Sequence, residues 1–472
     1  MNDATLPPTA PDTKPAAASD FDEENRLRPQ FVRQVLDLAE AGDVAGARDR
    51  VGRLHPADIA DLFELAPADD RPLLAATLGD LVSADVLAEM NDYVRDDLVE
   101  LLAPEQLAEL AAELDTDDAV AILEDMEAED QQAVLDAMEP EDRAAIKDAL
   151  SYPEESAGRL MQRDLVAIAE HATIGDVIDR LREDGDLTTD FWEIFIVDPR
   201  HHPVGTCQLS WILRTPREVA ITDVMKREQR LIPVDMDQEE VALMFQKYAL
   251  ISAAVVDPAG RLVGMITVDD IVHIIQEEAG EDVLRLSGAG EGDINEPIID
   301  TYKARVRWLI ANLGTALLAT SIIGLFGGAI EEMVALAVLM PIVAGVGGNA
   351  GTQTLAVTVR ALATNQVTAS NSRRAIFREM RIALLNGLTI AAIAGTATAI
   401  WFSLPLLGAV IASAMVVNIL VAGVAGVAIP LLLDRFNQDP AVASSIFVTM
   451  ITDSMGFLAF LGLAVASGLV GM

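Results

Sequence analysis

The hydrophobic pattern divides the chain into an amphipathic first part and an apolar last part. Between residues 28 and 150, apolar residues recur at the three- and four-residue spacing of short amphipathic helices, as at Leu107, Leu110 and Leu114. Acidic residues occupy the predicted first turns, where the helix dipole favours them. The pattern therefore predicts an all-α superhelix of short stacked helices at 28–150, preceded by a disordered tail at 1–27.

Residues 151–276 carry a different, duplicated pattern. Strand-like runs at 192–198 and 252–257 are each preceded by a predicted helix, Ile174–Leu181 and Glu239–Gln246, and each is followed by a second strand. This repeated β-α-β-β-α order resembles a tandem pair of α/β CBS domains, small modules that often bind adenosine nucleotides between them.

The second copy carries the family's Gly-x-x-Thr-x-x-Asp segment as Gly264-Met265-Ile266-Thr267-Val268-Asp269-Asp270. The resemblance implies that Thr267 contacts a phosphate and Asp270 a ribose hydroxyl of ATP or another adenine nucleotide. In the first copy Gln208 and Trp211 replace the hydroxyl and the aspartate, so the sequence supports at most one complete site. A regulatory fold without a nucleotide remains an alternative.

An acidic connector helix with its linker is predicted at 277–303, followed by a transmembrane domain at 304–472. Five apolar segments in this domain are each long enough to cross about 30 Å of hydrocarbon at about 1.5 Å per residue. They lie at about 308–330, 334–362, 380–404, 407–433 and 445–470. Arginines cluster before the first segment and between the second and third, which predicts a multi-pass protein with its N-terminus in the cytoplasm and its C-terminus outside.

Charge is distributed as unevenly as hydrophobicity. The net charge is -41, yet residues 301–472 hold nine Lys or Arg and six Asp or Glu, so the acidity belongs to residues 1–300. Such acidity disfavours nucleic acid as a partner. One cysteine, five scattered histidines and no nucleophile–base set or phosphate-binding loop argue against a disulfide, a zinc site and an enzyme. No apolar leader occurs in residues 1–27, so we expect the acidic part to remain in the cytoplasm.

Candidate chemistry in the apolar part centres on Asp453, an aspartate deep in the last segment. A carboxylate at this depth is normally paired or faces water, and the segments offer it no deep basic partner. A cation supplied by the solvent is one counter-charge, and a protonated aspartate hydrogen-bonded across helices is the alternative. Neutral oxygens nearby, from Asn349, Thr449 and Thr452, are candidates for contacts through water. One charge among neutral oxygens suits Mg²⁺, which sheds water reluctantly, although calcium, manganese and cobalt remain open.

These features together resemble the MgtE family of bacterial magnesium channels. The resemblance is carried by the acidic helical domain ending in Tyr152-Pro153-Glu154-Glu155-Ser156-Ala157-Gly158-Arg159-Leu160-Met161, the CBS pair, the connector and the membrane motifs. These motifs are Gly347-Gly348-Asn349-Ala350-Gly351-Thr352-Gln353, Val359-Arg360-Ala361-Leu362-Ala363, Asp439-Pro440-Ala441 and Thr449-Met450-Ile451-Thr452-Asp453.

The resemblance implies a homodimer in the bacterial inner membrane, with a pore at the dimer interface formed mainly by the second and fifth spans. It places Asp453 at the pore's ion-binding position. It also implies that cytosolic Mg²⁺ closes the pore by binding acidic residues of the N-terminal, CBS and connector regions. The corresponding residues are Glu277, Glu278, Glu281, Asp282 and Asp439.

Two other functions remain open at this stage. A secondary carrier would couple a divalent cation to Na⁺ or H⁺, and it should hold a further carboxylate within the membrane for the coupling ion. A membrane-anchored nucleotide sensor would carry no ion. The carrier would need that further carboxylate for its coupling ion. The function of the sensor would depend on Asp270 rather than on Asp453.

Overall fold

The computed structural model describes residues 20–471, except residues 125, 184–190, 289–294, 369, 437, 442 and 443 and the side chain of Asp282. Two compact units divide between Ile275 and Gln276. Most of the predicted tail at 1–27 lies outside the described residues. Its last residues are ordered, because Phe21 pairs with Leu27 and Leu27 is buried in the core of the first unit.

The N-terminal domain consists of ten short α-helices around one apolar core. Proline begins several of them, because its missing N–H costs nothing in the first turn. The helices are α1 Pro29–Glu40, α2 Val44–Val51, α3 Pro56–Leu65, α4 Arg71–Leu78, α5 Ala84–Ala88, α6 Asp92–Val99, α7 Pro104–Ala111, α8 Thr116–Glu124, α9 Ala128–Ala137 and α10 Pro140–Ala149, with 3-10 turns at Ala68–Asp70 and Gly79–Leu81. The predicted all-α domain is confirmed.

Two three-stranded sheets follow, and they confirm the duplicated α/β pattern. In each sheet the first two strands are parallel and the last two antiparallel. The first copy contains β1 Ala167–Ala169, α11 Ile174–Glu183, β2 Glu193–Val197, β3 Pro203–Gln208 and α12 Leu209–Ile212. The second contains α13 Ile221–Val224, β4 Leu231–Pro233, α14 Gln238–Tyr248, β5 Ser252–Val256 and β6 Leu262–Thr267. Phe195 pairs with Thr206 in the first sheet, as Ala254 does with Met265 in the second.

The connector is the continuation of a helix that begins in the second CBS copy. Helix α15 runs unbroken over Val268–Ser287, because Gly280 is its one weak helix former and no proline interrupts it. The predicted boundary between residues 276 and 277 therefore falls inside a helix. The glycine-rich turn predicted at 288–292 lies mostly outside the described residues.

Five helices of the second unit are long and apolar enough to cross a membrane. They are α16 Ile298–Gly324, α18 Val334–Ala363, α19 Ser372–Trp401, α20 Pro405–Arg435 and α21 Ser444–Ala466, and a short α17, Gly327–Glu332, joins the first two. Helix α20 packs against α18, α19 and α21 and has the most buried residues of the five. Glycines permit the closest approach: a Cβ at Gly395 would lie 2.8 Å from the carbonyl oxygen of Gly408.

Candidate ion path and carboxylate clusters

Helix α18 has an apolar glycine face and a polar face. Val343, Gly347 and Gly351 recur every four residues and are buried in the bundle. Asn349 and Thr352 lie away from this face and are exposed in the single chain. Because α18 is otherwise apolar, its polar face needs either water or another protein surface to satisfy it.

Helix α21 repeats this arrangement. Val448, Thr452 and Gly456 recur every four residues and are buried, whereas Thr449 is exposed and Asp453 is partly exposed. The hydroxyl of Thr452 donates to the carbonyl oxygen of Thr449 over 3.0 Å. Of the candidates predicted on this helix, Thr449 and Asp453 therefore share one face, and Thr452 lies on the packing face instead.

The carboxylate of Asp453 has no hydrogen bond or ion pair within the described part of the chain. The two glycine faces meet inside the bundle, where a Cβ at Gly351 would lie 2.5 Å from Cγ1 of Val448. The polar faces that carry Asn349 and Asp453 thus remain uncovered by the single chain. An uncompensated carboxylate on such a face is suited to attract a hydrated cation.

The structure adds a second carboxylate within the apolar helices, Glu379, and this one is buried. Helix α19 begins at Ser372, so Glu379 belongs to the span, although the sequence pattern placed it just before the predicted segment. It is 8% exposed and lies 2.5 Å from Nη1 of Arg378. Together with Gln353 and Asn386 it lines a cavity of about 220 Å³ between α18, α19 and α20. Glu379 could have been predicted from the sequence if the third apolar segment had been extended to the helix that begins at Ser372.

Two predicted regulatory residues are joined by one arginine at the end of the connector. Arg285 pairs with Glu281 one turn earlier, and its Nη1 lies 2.8 Å from Oδ2 of Asp439. The next residue, Leu286, packs against a small apolar cluster from α18 and the α21 region. That cluster is formed by Leu355, Val359, Ala441 and Val448. Glu277 and Glu278 lie earlier on the same helix, and the side chain of Asp282 is outside the described residues.

A carboxylate cluster between the N-terminal domain and the second CBS copy was missed in the sequence. Burial, followed by the charge of Asp270, raises the pKa of Asp117 well above its ordinary value. Burial and the neighbouring Asp115 raise the pKa of Asp118 to about 6. Burial is also the largest cause that raises the pKa of Asp270 to about 7. Oδ1 of Asp117 is buried without a hydrogen-bond partner among the described residues.

This cluster is not a complete metal site by itself. Within the described ranges, no three Asp, Glu, His or Cys side chains are arranged to hold a metal ion. Asp270 also accepts a hydrogen bond from the Thr267 hydroxyl at 2.7 Å and one from Gln162 at 3.4 Å. Both residues predicted to contact a nucleotide, Thr267 and Asp270, are therefore engaged with each other at the start of α15.

A cavity in the CBS pair lies elsewhere, between the two copies, and most of its lining comes from the second copy. Its volume is about 230 Å³, and its lining includes Glu193, Thr206, Lys226, Arg230 and Tyr248. The guanidinium carbon of Arg230 lies 4.3 Å from the centre of the Tyr248 ring. Two basic side chains beside an aromatic ring are suited to a phosphate and a base, and neither side chain was singled out in the sequence.

Comparison with known proteins identifies the family. The magnesium transporter MgtE of Bacillus subtilis is 30% identical over 450 residues, which covers 94% of this chain and 98% of that protein. This chain belongs to the MgtE family of magnesium transporters. The MgtE of Thermus thermophilus is also 30% identical, over 93% of this chain and 98% of its own length.

The family models match three regions. The MgtE intracellular N domain matches residues 54–155, a CBS domain matches 221–277, and a divalent cation transporter domain matches 340–463. The CBS match covers the second copy, which carries the complete Gly-x-x-Thr-x-x-Asp segment. The solved cytosolic domain of the Mg²⁺ channel MgtE in complex with ATP is 27% identical, covers 52% of this chain and 99% of that one, and has a TM-score of 0.47.

Membership in the MgtE family agrees with the architecture predicted from the sequence. The all-α domain, the CBS pair and five long apolar helices occur in the predicted order, and they describe a multi-pass membrane protein.

Proposed function

We propose that this chain is a Mg²⁺ channel that imports the ion down its electrochemical gradient through a homodimer in the bacterial plasma membrane. The observation that carries the proposal is the pair of polar faces on α18 and α21, which the single chain leaves uncovered. A second copy of the chain would face them across a path with one Asp453 from each subunit. Two carboxylates and the neutral oxygens of Asn349 and Thr449 would hold a hydrated divalent cation better than a monovalent one.

Regulation by cytosolic Mg²⁺ requires the acidic domains to face the cytoplasm, and the distribution of charged residues supports this orientation. Arg305 and Arg307 lie at the start of α16, and further arginines lie at the start of α19. At the opposite end of the bundle, the backbone N–H of Gly471 donates to Glu332 at 2.6 Å. The C-terminus would therefore lie outside, with the turn that contains α17.

We further propose that cytosolic Mg²⁺ closes the channel. Carboxylates about 6 Å apart repel each other by roughly 3 kcal/mol at an effective dielectric near 20, so bound divalent ions would draw acidic surfaces together. The negative charges of Asp117 and Asp270 disfavour each other in one cluster, and the connector residues around Glu281 form another acidic set. The packing of Leu286 near the ends of α18 and α21 gives the connector a direct contact with the two helices that carry the proposed path.

The decisive experiment compares Asp453→Asn with the wild type in a bacterial host that lacks its own magnesium uptake, and in planar bilayers. We expect the wild type to restore growth and give unitary Mg²⁺ currents, and Asp453→Asn to do neither at equal membrane abundance. Asp434→Asn, which removes a carboxylate from the end of α20, serves as the matched control and should behave as the wild type. Growth and currents that survive Asp453→Asn would refute the proposed path.

The gate requires a separate test. Replacing Glu277, Glu278, Glu281 and Asp282 together by their amides should leave currents at low Mg²⁺ unchanged but shift closure to higher cytosolic Mg²⁺. If the quadruple variant closes at the same cytosolic Mg²⁺ concentration as the wild type in excised patches, the connector carboxylates do not take part in gating.

One observation favours a second function. Glu379, in its cavity with Gln353 and Asn386, supplies the additional membrane carboxylate that a Na⁺- or H⁺-coupled carrier needs. Its pairing with Arg378 reduces its attraction for a coupling ion, so we prefer the channel.

A further inference from the structure

Asn418 is a fully buried polar side chain in the middle of the apolar helix α20. Its Nδ2 donates to the carbonyl oxygen of Val343 on α18 over 2.9 Å. Its Oδ1 is buried without a hydrogen-bond partner among the described residues. A buried carboxamide in which only one of the two polar atoms is hydrogen-bonded destabilises the fold compared with an apolar side chain. Asn418 therefore contributes through the space that it fills rather than through stability.

The carboxamide occupies a space that two glycines on different helices leave open. A Cβ at Gly347 of α18 would lie 2.0 Å from Nδ2 of Asn418, and a Cβ at Gly456 of α21 would lie 2.7 Å from the same atom. Neither glycine tolerates a methyl group while Asn418 keeps this position. The side chain therefore fills the junction of three helices.

This junction lies directly behind the proposed ion path. Gly347 precedes Asn349 by two residues, and Gly456 follows Asp453 by three, so each glycine is within one turn of a proposed path residue. The glycines lie on the buried faces of their helices, and Asn349 and Asp453 lie outside those faces. Any change in the separation of α18 and α21 at Asn418 would thus alter the width of the path at the level of Asp453.

We infer that Asn418 is a positioning residue that fixes the separation of α18 and α21 and thereby sets the preference for Mg²⁺ over larger divalent cations. The inference rests on the proposed function. A path that holds Mg²⁺ through its water shell discriminates by spacing and rigidity, since Ca²⁺ accepts flexible oxygen ligands that Mg²⁺ does not. The hydrogen bond to Val343 fixes the orientation of the carboxamide, and the two glycines fix its position.

The test uses the full-length chain in liposomes, with Mg²⁺ and Ca²⁺ influx measured from the same mixture and the thermal unfolding midpoint measured in detergent. The variants are Asn418→Ala, Gly347→Ala and the double variant, in which the new methyl group occupies space vacated by the carboxamide. Gly462→Ala on α21, where an added Cβ meets nothing within 4 Å, is the matched control.

We expect Asn418→Ala to pass Mg²⁺ with its preference over Ca²⁺ reduced by about tenfold or more. Gly347→Ala should lower the unfolding midpoint, and the double variant should recover the midpoint but not the preference. If Asn418→Ala fails to fold, the double variant supplies the same comparison. A wild-type Mg²⁺ to Ca²⁺ ratio in folded variants that lack Asn418 would overturn the inference. A wild-type chain that passes neither ion would instead refute the proposed function, and this inference with it.

Discussion

Arg285 and Asp439 form an ion pair, with 2.8 Å between Nη1 and Oδ2, that ties the connector helix to the segment before α21. The same guanidinium pairs with Glu281. The side chain of Arg285 therefore pairs with two carboxylates, Glu281 and Asp439, that we propose as regulatory Mg²⁺ ligands. In the absence of the metal, this arginine would neutralise part of the charge of these carboxylates, and it would compete with the metal for them as the metal concentration rises.

We predict that Arg285→Gln closes at lower cytosolic Mg²⁺ than the wild type. Removal of a competing half-buried ion pair, worth up to about 1 kcal/mol, should increase the apparent affinity for Mg²⁺ by up to about fivefold. Patch recordings at graded cytosolic Mg²⁺ would measure the midpoint. Lys303→Gln, which removes a cation from an exposed pair with Asp300, should leave it unchanged. An Arg285→Gln midpoint equal to the wild-type value would contradict the competition.

Truncating the two threonines of α21 should separate the two faces of this helix. Thr449→Ala acts on the exposed face, so we expect a several-fold fall in Mg²⁺ flux with an unchanged unfolding midpoint. Thr452→Ala acts on the buried face and leaves a small cavity beside Gly351, so we expect about 1 kcal/mol of destabilisation with normal flux. Flux assays in liposomes and thermal unfolding of the same samples provide both measurements. The reverse outcome would place the ion path on the other face.

Local sequence signals predicted the parts of the molecule that are locally encoded. Apolar length identified the five spans, and strand and turn composition identified the repeated α/β unit. A lone carboxylate in an apolar run singled out Asp453, whose role stays a prediction. The contacts that sequence reasoning missed depend on long-range packing. Asp439 lies 154 residues after Arg285, and Asp117 meets Asp270 only because the N-terminal helices pack against the second CBS copy. No periodicity in the chain encodes either contact.

The Asp117 cluster should make the first unit of the chain less stable as pH rises in the absence of divalent cations. Below about pH 4 these carboxyls are protonated in both folded and unfolded chains. As pH rises, the unfolded chain ionises first, so stability falls until pH passes the raised pKa values, about 6 for Asp118 and about 7 for Asp270. The shift in the pKa of Asp118 alone corresponds to on the order of 3 kcal/mol.

Thermal unfolding of the full chain in a metal chelator, followed from about pH 5 to about pH 7.5, measures this loss. We expect the unfolding midpoint of the first unit to fall as the pH rises, and we expect added Mg²⁺ to reverse much of this fall. Asp117→Asn should flatten the dependence, whereas Asp130→Asn, at an exposed position on α9, should not. An Asp117→Asn slope equal to that of the wild type would exclude this aspartate as the cause.

A nucleotide, if one binds, should use the cavity beside Arg230 rather than the Thr267 segment. We predict that Arg230→Gln weakens ATP binding to the full-length protein by about tenfold, because it removes a charge-assisted contact to phosphate. Thr267→Ala should leave ATP affinity unchanged, because its hydroxyl is engaged by Asp270. Titration calorimetry would measure both variants.

A nucleotide sensor that carries no ion would instead keep its function in Asp453→Asn and lose it in Asp270→Ala.

Glu379 distinguishes the channel from the carrier. The proposed channel predicts that Mg²⁺ flux follows membrane voltage and is indifferent to Na⁺ and proton gradients, both in the wild type and in Glu379→Gln. A carrier predicts gradient-driven uptake that Glu379→Gln abolishes, because the buried carboxylate would be the site of the coupling ion. Liposomes with imposed voltage, Na⁺ and pH gradients measure each dependence separately, and Glu331→Gln, at an exposed carboxylate of α17, is the matched control. Since Arg378 already neutralises much of the charge of Glu379, we expect loss of this carboxylate to affect packing around the cavity more than transport.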